Sequence, residues 1–208
     1  MDPIWKRISV QISTLRRDAS KYLDRGFVGI IPPLLGLLHS GRLTGSRKFQ
    51  QRIVEFLSDR KSGLPVTNLV DLLQAAHKEG RLSLRDSGLL PLLGFCRTNL
   101  EALLNTPPRD KVDWTITPSL GCSCKLCVRL GRFLRSTGEK RLEWPLAKPD
   151  RQHLHQQIDR MDLPVLHATR RTGSPFTLIL EKTEAVFTRE AMARSIWKKK
   201  LAWLKSRE

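Results

Sequence analysis

Acidic side chains are scarce in this chain. It carries 20 Asp+Glu against 37 Lys+Arg, a formal net charge of +17 with a pI near 10.5. That deficit disfavours basic partners and favours polyanions, nucleic acid first and acidic membrane surface second. Tyrosine occurs once. Away from candidate core positions only Trp144 and Tyr22 offer stacking planes, so base-specific reading has no support. Long apolar runs are missing. The longest, "FVGIIPPLLGLL" from Phe27 to Leu38, is too short to span a bilayer and holds Pro32 and Pro33 at its middle. The first residues lack the apolar core of a secretory signal. The sequence therefore predicts an intracellular protein, cytoplasmic or nuclear, with no transmembrane segment. Its four cysteines are then expected to be free thiols.

What is present suffices for a core. Apolar residues make up 40% of 208, enough for one domain or two small ones. Three segments in the first half carry helical periodicity. "SRKFQQRIVEFLSDRKSG" aligns Phe49, Ile53, Phe56 and Leu57, with Ser46 as cap and Gly63 as stop. "TNLVDLLQAAHKEG" aligns Leu69, Leu72, Leu73 and Ala76, capped by Thr67 or Asn68 and stopped at Gly80. "PLLGFCRTNLEALLN" opens on Pro91 and places Cys96 on its leucine stripe, so Cys96 reads as a core thiol.

The pattern changes at Asn105 to Gly121, which holds three prolines and no helical period. Trp114 and Ile116 are its expected anchors onto a core. Beyond it come a short helix after the cysteines, a short strand ending at Pro145, and a helix presenting Leu154, Ile158 and Met161 inward. "VLHATRRTGSPFTLILEKT" predicts a β-hairpin, with arms Val165 to Arg170 and Phe176 to Thr183. The end is a basic amphipathic helix capped by Thr188, with Ala193, Ile196, Trp197, Leu201 and Leu204 on one face. The expected fold class is α+β, mostly α. A helical region over 1–106 precedes a small zinc-stapled α+β module with one β-hairpin and a basic C-terminal helix over 107–208.

Three of the four cysteines fall in "GCSCKLCVRLGRFL". Cys124 and Cys127 have knuckle spacing, one thiolate in a turn and the next in the first turn of a helix. Cys122 lies two residues earlier, on the same side of an extended segment. His153 and His155, in "RQHLH", are candidates for a fourth ligand. Cys3His is an established structural zinc set that leaves no open position for water. A thioredoxin-like pair would need a preceding strand and a βαβ unit. A disulfide framework would need an oxidising compartment. Chance core cysteines would lie on one apolar stripe, but Cys122 and Cys124 occupy a polar loop. A module of under about 80 residues gains from such a staple. Three thiolates leave the zinc site at −1, and Lys125, Arg129 and Arg151 are near enough in sequence to offset it.

These residues belong to a longer pattern: Asp113-Trp114, Leu120, Cys122, Cys124, Cys127, Leu130, Phe133-Leu134, then Arg151, His153-Leu154 and Ile158. It continues with Thr169, Gly173-Ser174-Pro175, Thr177-Leu178 and Lys182-Thr183. The pattern resembles the C-terminal extension of prolyl-hydroxylase-like 2-oxoglutarate/Fe(II) dioxygenase proteins, over about residues 113–185. The resemblance implies the appendage without its catalytic domain, and it favours His153 over His155 as fourth ligand. The only His-x-acid run, His77-Lys78-Glu79, ends a predicted helix, so no dioxygenase activity is expected and the protein is read as non-enzymatic.

Lys125, Arg129 and Arg132 recur at i, i+4 and i+7 after the cysteines, opposite Leu126, Leu130, Phe133 and Leu134. Such a stripe can track phosphates without reading bases. Arg170 and Arg171 at the hairpin tip, and Lys198, Lys199 and Lys200 on the last helix, are candidates to extend it. The expected partner is DNA or RNA, bound with low sequence specificity. The rival expectation is an accessory module that docks on a protein partner through the helical half.

Overall fold

The computed structural model describes residues 3–17, 23–59, 64–80, 83–118 and 121–207. Gly63, Tyr22 and Leu120, to which the sequence reading assigned roles, lie outside them. Among the described residues there are eight helices and one three-stranded antiparallel sheet. The chain divides into two compact units. The first is residues 1–107 with 194–208, and the second is Pro108–Ala193.

The first unit contains helices α1 (Pro3–Arg17), α2 (Leu23–Leu43), α3 (Arg47–Ser58), α4 (Val66–Glu79) and α5 (Leu90–Asn105). Trp5, Ile8 and Ile12 recur at helical spacing along α1 and are buried, with Trp5 edge-on to Phe56 at 5.3 Å. Helix α2 runs through Pro32 and Pro33. Interior prolines remove a backbone donor and crowd the preceding turn, a cost that the buried apolar residues on both sides of the pair offset. Gly26–Leu43 is consequently long and apolar enough to cross a membrane by length and composition, near the N-terminus. In the structure its Phe27, Ile30, Ile31, Leu34, Leu35, Leu37 and Leu38 are buried in the core.

Helix α3 is rotated from its expected face. Gln50, Ile53, Val54 and Leu57 are buried, and Phe49 and Phe56 flank the core. On α4 the expected Leu69, Leu72, Leu73 and Ala76 are all buried, and Gly80 closes the helix at φ +65°. Its start is Pro65 without a side-chain cap, not Thr67 or Asn68. Cys96 is fully buried on α5, and burial pushes its thiol up to about 12.

Helix α8 (Ala185–Lys205) begins three residues before Thr188, whose hydroxyl donates to the Glu184 carbonyl instead of capping. Its residues from Arg194 onward group with the first unit, unlike the sequence boundary at 106/107. The physical reason is apolar: Leu204 is fully buried in the first core, and Trp197, Leu201 and Trp203 pack on it. Ile196, expected on that face, is 47% exposed.

The second unit holds α6 (Lys125–Arg135), β1 (Arg141–Pro145), α7 (Lys148–Arg160), β2 (Val165–Arg170) and β3 (Thr177–Lys182). The predicted hairpin is β2–β3, and β1 adds to the free edge of β3, giving the order β1-β3-β2. Leu178 is the shared centre, paired with Trp144 on one side and Thr169 on the other. Leu130, Phe133 and Leu134 of α6, Leu154 and Ile158 of α7, and Leu178 and Leu180 of β3 form its core. The proline-rich lead-in is anchored as expected. Ile116 donates its N–H to the Leu134 carbonyl at 2.7 Å, and Trp114 packs edge-on against Phe187 at 4.8 Å. Met161 lies just past α7, as its C-cap.

Candidate metal centre

The site is assembled by one turn and two helix faces. Cys124 is the N-cap of α6, in extended backbone, and its sulfur accepts the Cys127 N–H at 3.5 Å. A thiolate at an N-cap satisfies a helix donor that has no partner inside the helix and sits at the positive end of the helix dipole. Cys127 follows one turn in, fully buried. Cys122 is half-buried in the loop before the helix. Helix α7 is laid against α6 by Leu154 and Leu130, which belong to the same core. One residue before Leu154, His153 turns its Nε2 to within 3.2 Å of the Cys127 sulfur and 3.5 Å of the Cys124 sulfur.

The four donor atoms of Cys122, Cys124, Cys127 and His153 lie within 4.8 Å of one another. Zinc–sulfur and zinc–nitrogen bonds of tetrahedral sites imply ligand–ligand edges of roughly 3.6–3.8 Å. The quartet fits such an ion after movements of about an ångström or less. The cluster can hold a metal ion, and its donor set is soft.

The two knuckle thiols differ sharply. The Cys127 N–H lowers Cys124 to about 6, which favours its thiolate. Burial pushes Cys127 up to about 12, so its proton leaves when a cation arrives to replace it.

The other candidate ligand is engaged elsewhere. His155 Nδ1 faces His167 Nδ1, and His155 Nε2 lies 3.3 Å from the Thr169 hydroxyl. His167 Nε2 is 3.1 Å from Asp159. This polar chain ties α7 to β2. The sequence reading missed it; the alternation of β2, which puts His167 and Thr169 on one face, was the signal.

Lys125, Arg129 and Arg132 are all exposed on α6. The Arg129 guanidinium lies 4.4 Å over the Trp144 ring. Trp144 is 6% exposed under it and packed in the core, so it is not the free stacking plane the sequence suggested. Arg151 is buried instead of flanking the metal site. Its guanidinium donates to the Leu146 and Phe176 carbonyls. Arg170 is exposed but paired with Glu143 at 2.9 Å, and Arg171 is exposed in the hairpin turn. Lys198, Lys199 and Lys200 belong to the other unit. The first two are exposed, and Lys200 forms an ion pair with Asp71.

A buried lysine also went unforeseen. Lys182 ends β3 fully buried, its Nζ donating to the Ser136 carbonyl at 2.7 Å and lying 4.9 Å from the Phe133 ring centroid. It satisfies a carbonyl at the C-terminal end of α6, where a cation is favoured.

Fold and site together define a two-unit, mostly helical α+β chain whose smaller unit carries a Cys3His cluster able to hold a metal ion. No family model, curated protein or solved structure matches the chain.

Proposed function

We propose that the second unit is a structural zinc module whose α6 face contacts nucleic acid through the phosphate backbone. The observation that carries it is the Cys3His quartet at the start of the helix that also exposes Lys125, Arg129 and Arg132. Four protein ligands leave zinc no open position, which supports a structural and non-enzymatic role. His77, Lys78 and Glu79 form the last turn of α4, with His77 facing Trp203 at 6.1 Å, a packing role and not an iron site. Reduced thiolate ligands suit an intracellular compartment. The cations of α6 lie one helical turn apart on a metal-anchored helix, and the net charge of +17 favours polyanions over acidic surfaces of smaller charge density. Trp144 is covered, so contact is expected with phosphates and not bases.

Binding of labelled duplex DNA and RNA across a salt series tests this. Three phosphate contacts predict a log–log salt slope on duplex DNA of about −2.7, and each of Lys125→Gln, Arg129→Gln and Arg132→Gln flattens it by about 1. Affinity that is absent at low salt, or unchanged in the triple variant, overturns the reading. In that case a protein partner for the helical unit becomes the better account of the chain.

A further inference from the structure

A half-open groove lies within the helical unit, the unit that does not hold the Cys3His cluster. It offers about 1160 Å³ between the end of α2, the length of α3, the turn at 83–88 and the start of α5. Three guanidinium side chains line it: Arg42, Arg47 and Arg85. Their opposing carboxylates are already engaged. Asp86 is held by Arg42 and by the Ser83 hydroxyl, which keep it below the usual carboxylate range. Glu55 accepts from the Gln51 amide at 2.8 Å. Arg47 and Arg85 have no side-chain hydrogen bond or ion pair among the described residues.

Three further observations point into the same groove. Ser58 lines the end of it opposite Arg47, its hydroxyl shielded and without a partner. Helix α3 starts at its rim with Arg47 and Lys48, no acidic residue in the first turn and no side-chain bond from its Ser46 cap. The Ser46, Arg47 and Phe49 N–H groups already donate to backbone carbonyls, so attraction for phosphate at this end comes from the Arg47 and Lys48 charges and the helix dipole rather than from free donors. The remaining wall is less polar, with Phe95, Pro91 and Val54, and its floor is Gln50, 5% exposed and fixed by its amide donating to the Leu38 carbonyl at 2.9 Å.

We propose that this groove binds an organic phosphate of nucleotide size. The phosphates sit on Arg47 and Arg85 at the start of α3, and the less polar part lies against Phe95 and Pro91. Arginine forks suit phosphate oxygens in pairs. The volume slightly exceeds the roughly 300–1,000 Å³ of ordinary small-molecule sites, so a bare inorganic ion would leave most of it to water.

Calorimetric titration of the zinc-loaded full chain with pyrophosphate, ADP and adenosine at physiological salt tests the site. The expected result is one ADP per chain, bound more tightly than pyrophosphate or adenosine. Arg47→Gln with Arg85→Gln weakens ADP by at least about tenfold, as loss of charge-assisted bonds requires. Both side chains are exposed, so folding is retained. Phe95→Ala brings ADP down to the level of pyrophosphate. Arg160→Gln, an exposed change in the other unit, changes neither. No heat with ADP at millimolar concentration overturns the proposal. So does equal affinity for ADP and pyrophosphate, or ADP binding that is unchanged in the double arginine variant. The last of these outcomes reports adventitious attraction to a basic chain.

Discussion

The two units solve the same stability problem by different means. The helical unit buries a continuous apolar cluster drawn from α1 to α5 and closed by Leu204. The second unit has about half as many buried apolar residues, and it adds polar ties at its margins. These are the Cys3His quartet, the Arg151 guanidinium on two carbonyls, the Lys182 ammonium on Ser136, and the Arg109–Glu190 pair at 2.8 Å. Small units bury a smaller share of their surface, so each specific tie weighs more. The units should therefore fail differently: the second through loss of one ion or one ligand, the first only through its core.

The largest effect expected is loss of the metal. Structural zinc in small modules contributes roughly 10–16 kcal/mol of apparent binding free energy, well above what a core of this size supplies. A strong chelator, or Cys127→Ala or His153→Ala, is expected to release one zinc per chain and to melt β1–β3, α6 and α7. The helicity of α1–α5 should survive. Metal analysis with far-ultraviolet circular dichroism checks both parts. A folded second unit in metal-free wild-type protein would break the comparison. The site should also empty on acidification, because the cysteine ligands must give up protons to bind a metal and regain them as pH falls.

The converse comes from the helical core. Leu72 is fully buried on α4, and Leu72→Ala is expected to cost about 2–5 kcal/mol by urea unfolding of the helical signal. Zinc content should not change. Parallel loss of zinc in this variant would show that the units do not fail separately.

The sequence made some of this legible and hid the rest for identifiable reasons. The leucines of α4 and the hairpin arms announced themselves because one periodicity dominates each. The cysteine knuckle was legible because its spacing is local, and His153 needed only a choice between two neighbours. The run from Phe27 to Leu38 was read as too short to span a bilayer because Pro32 and Pro33 divide it, while the helix actually continues through them and extends the apolar stretch to Gly26–Leu43. Helix α3 was misjudged because Phe49 and Phe56 outweigh Gln50 on any hydrophobicity scale, yet Gln50 is the residue that finds a buried carbonyl. The C-terminal part of α8 grouped with the helical unit through contacts far apart in sequence, which no local pattern reveals. Arg151 was assigned to the metal site and Lys182 given no role for the same reason: their partners are backbone carbonyls supplied by tertiary structure.

The smallest effect concerns Lys182, and it sharpens what a buried tie costs. Burial lowers this ammonium to about 8, against 10.5 for the free side chain. Below pH 8 both folded and unfolded chains hold the proton, so stability does not depend on pH through this group. Between about 8 and 10.5 the unfolded chain still binds a proton that the folded one has released, so stability should rise with pH across that window. The second unit is thus expected to gain more stability from pH 8 to 10.5 in wild type than in Lys182→Met, the cysteine ligands contributing equally to both. Methionine fills the space of the lysine stem but leaves the Ser136 carbonyl without its donor. A loss of about 1–3 kcal/mol from that orphaned acceptor is therefore offset in part by relief of the buried charge. Cobalt-substituted protein gives a readout confined to this unit, since its thiolate absorption vanishes on unfolding. Wild type and variant that follow one pH curve would show that Lys182 is not desolvated. The polar ties of the second unit would then be the Cys3His quartet, Arg151 and the Arg109–Glu190 pair.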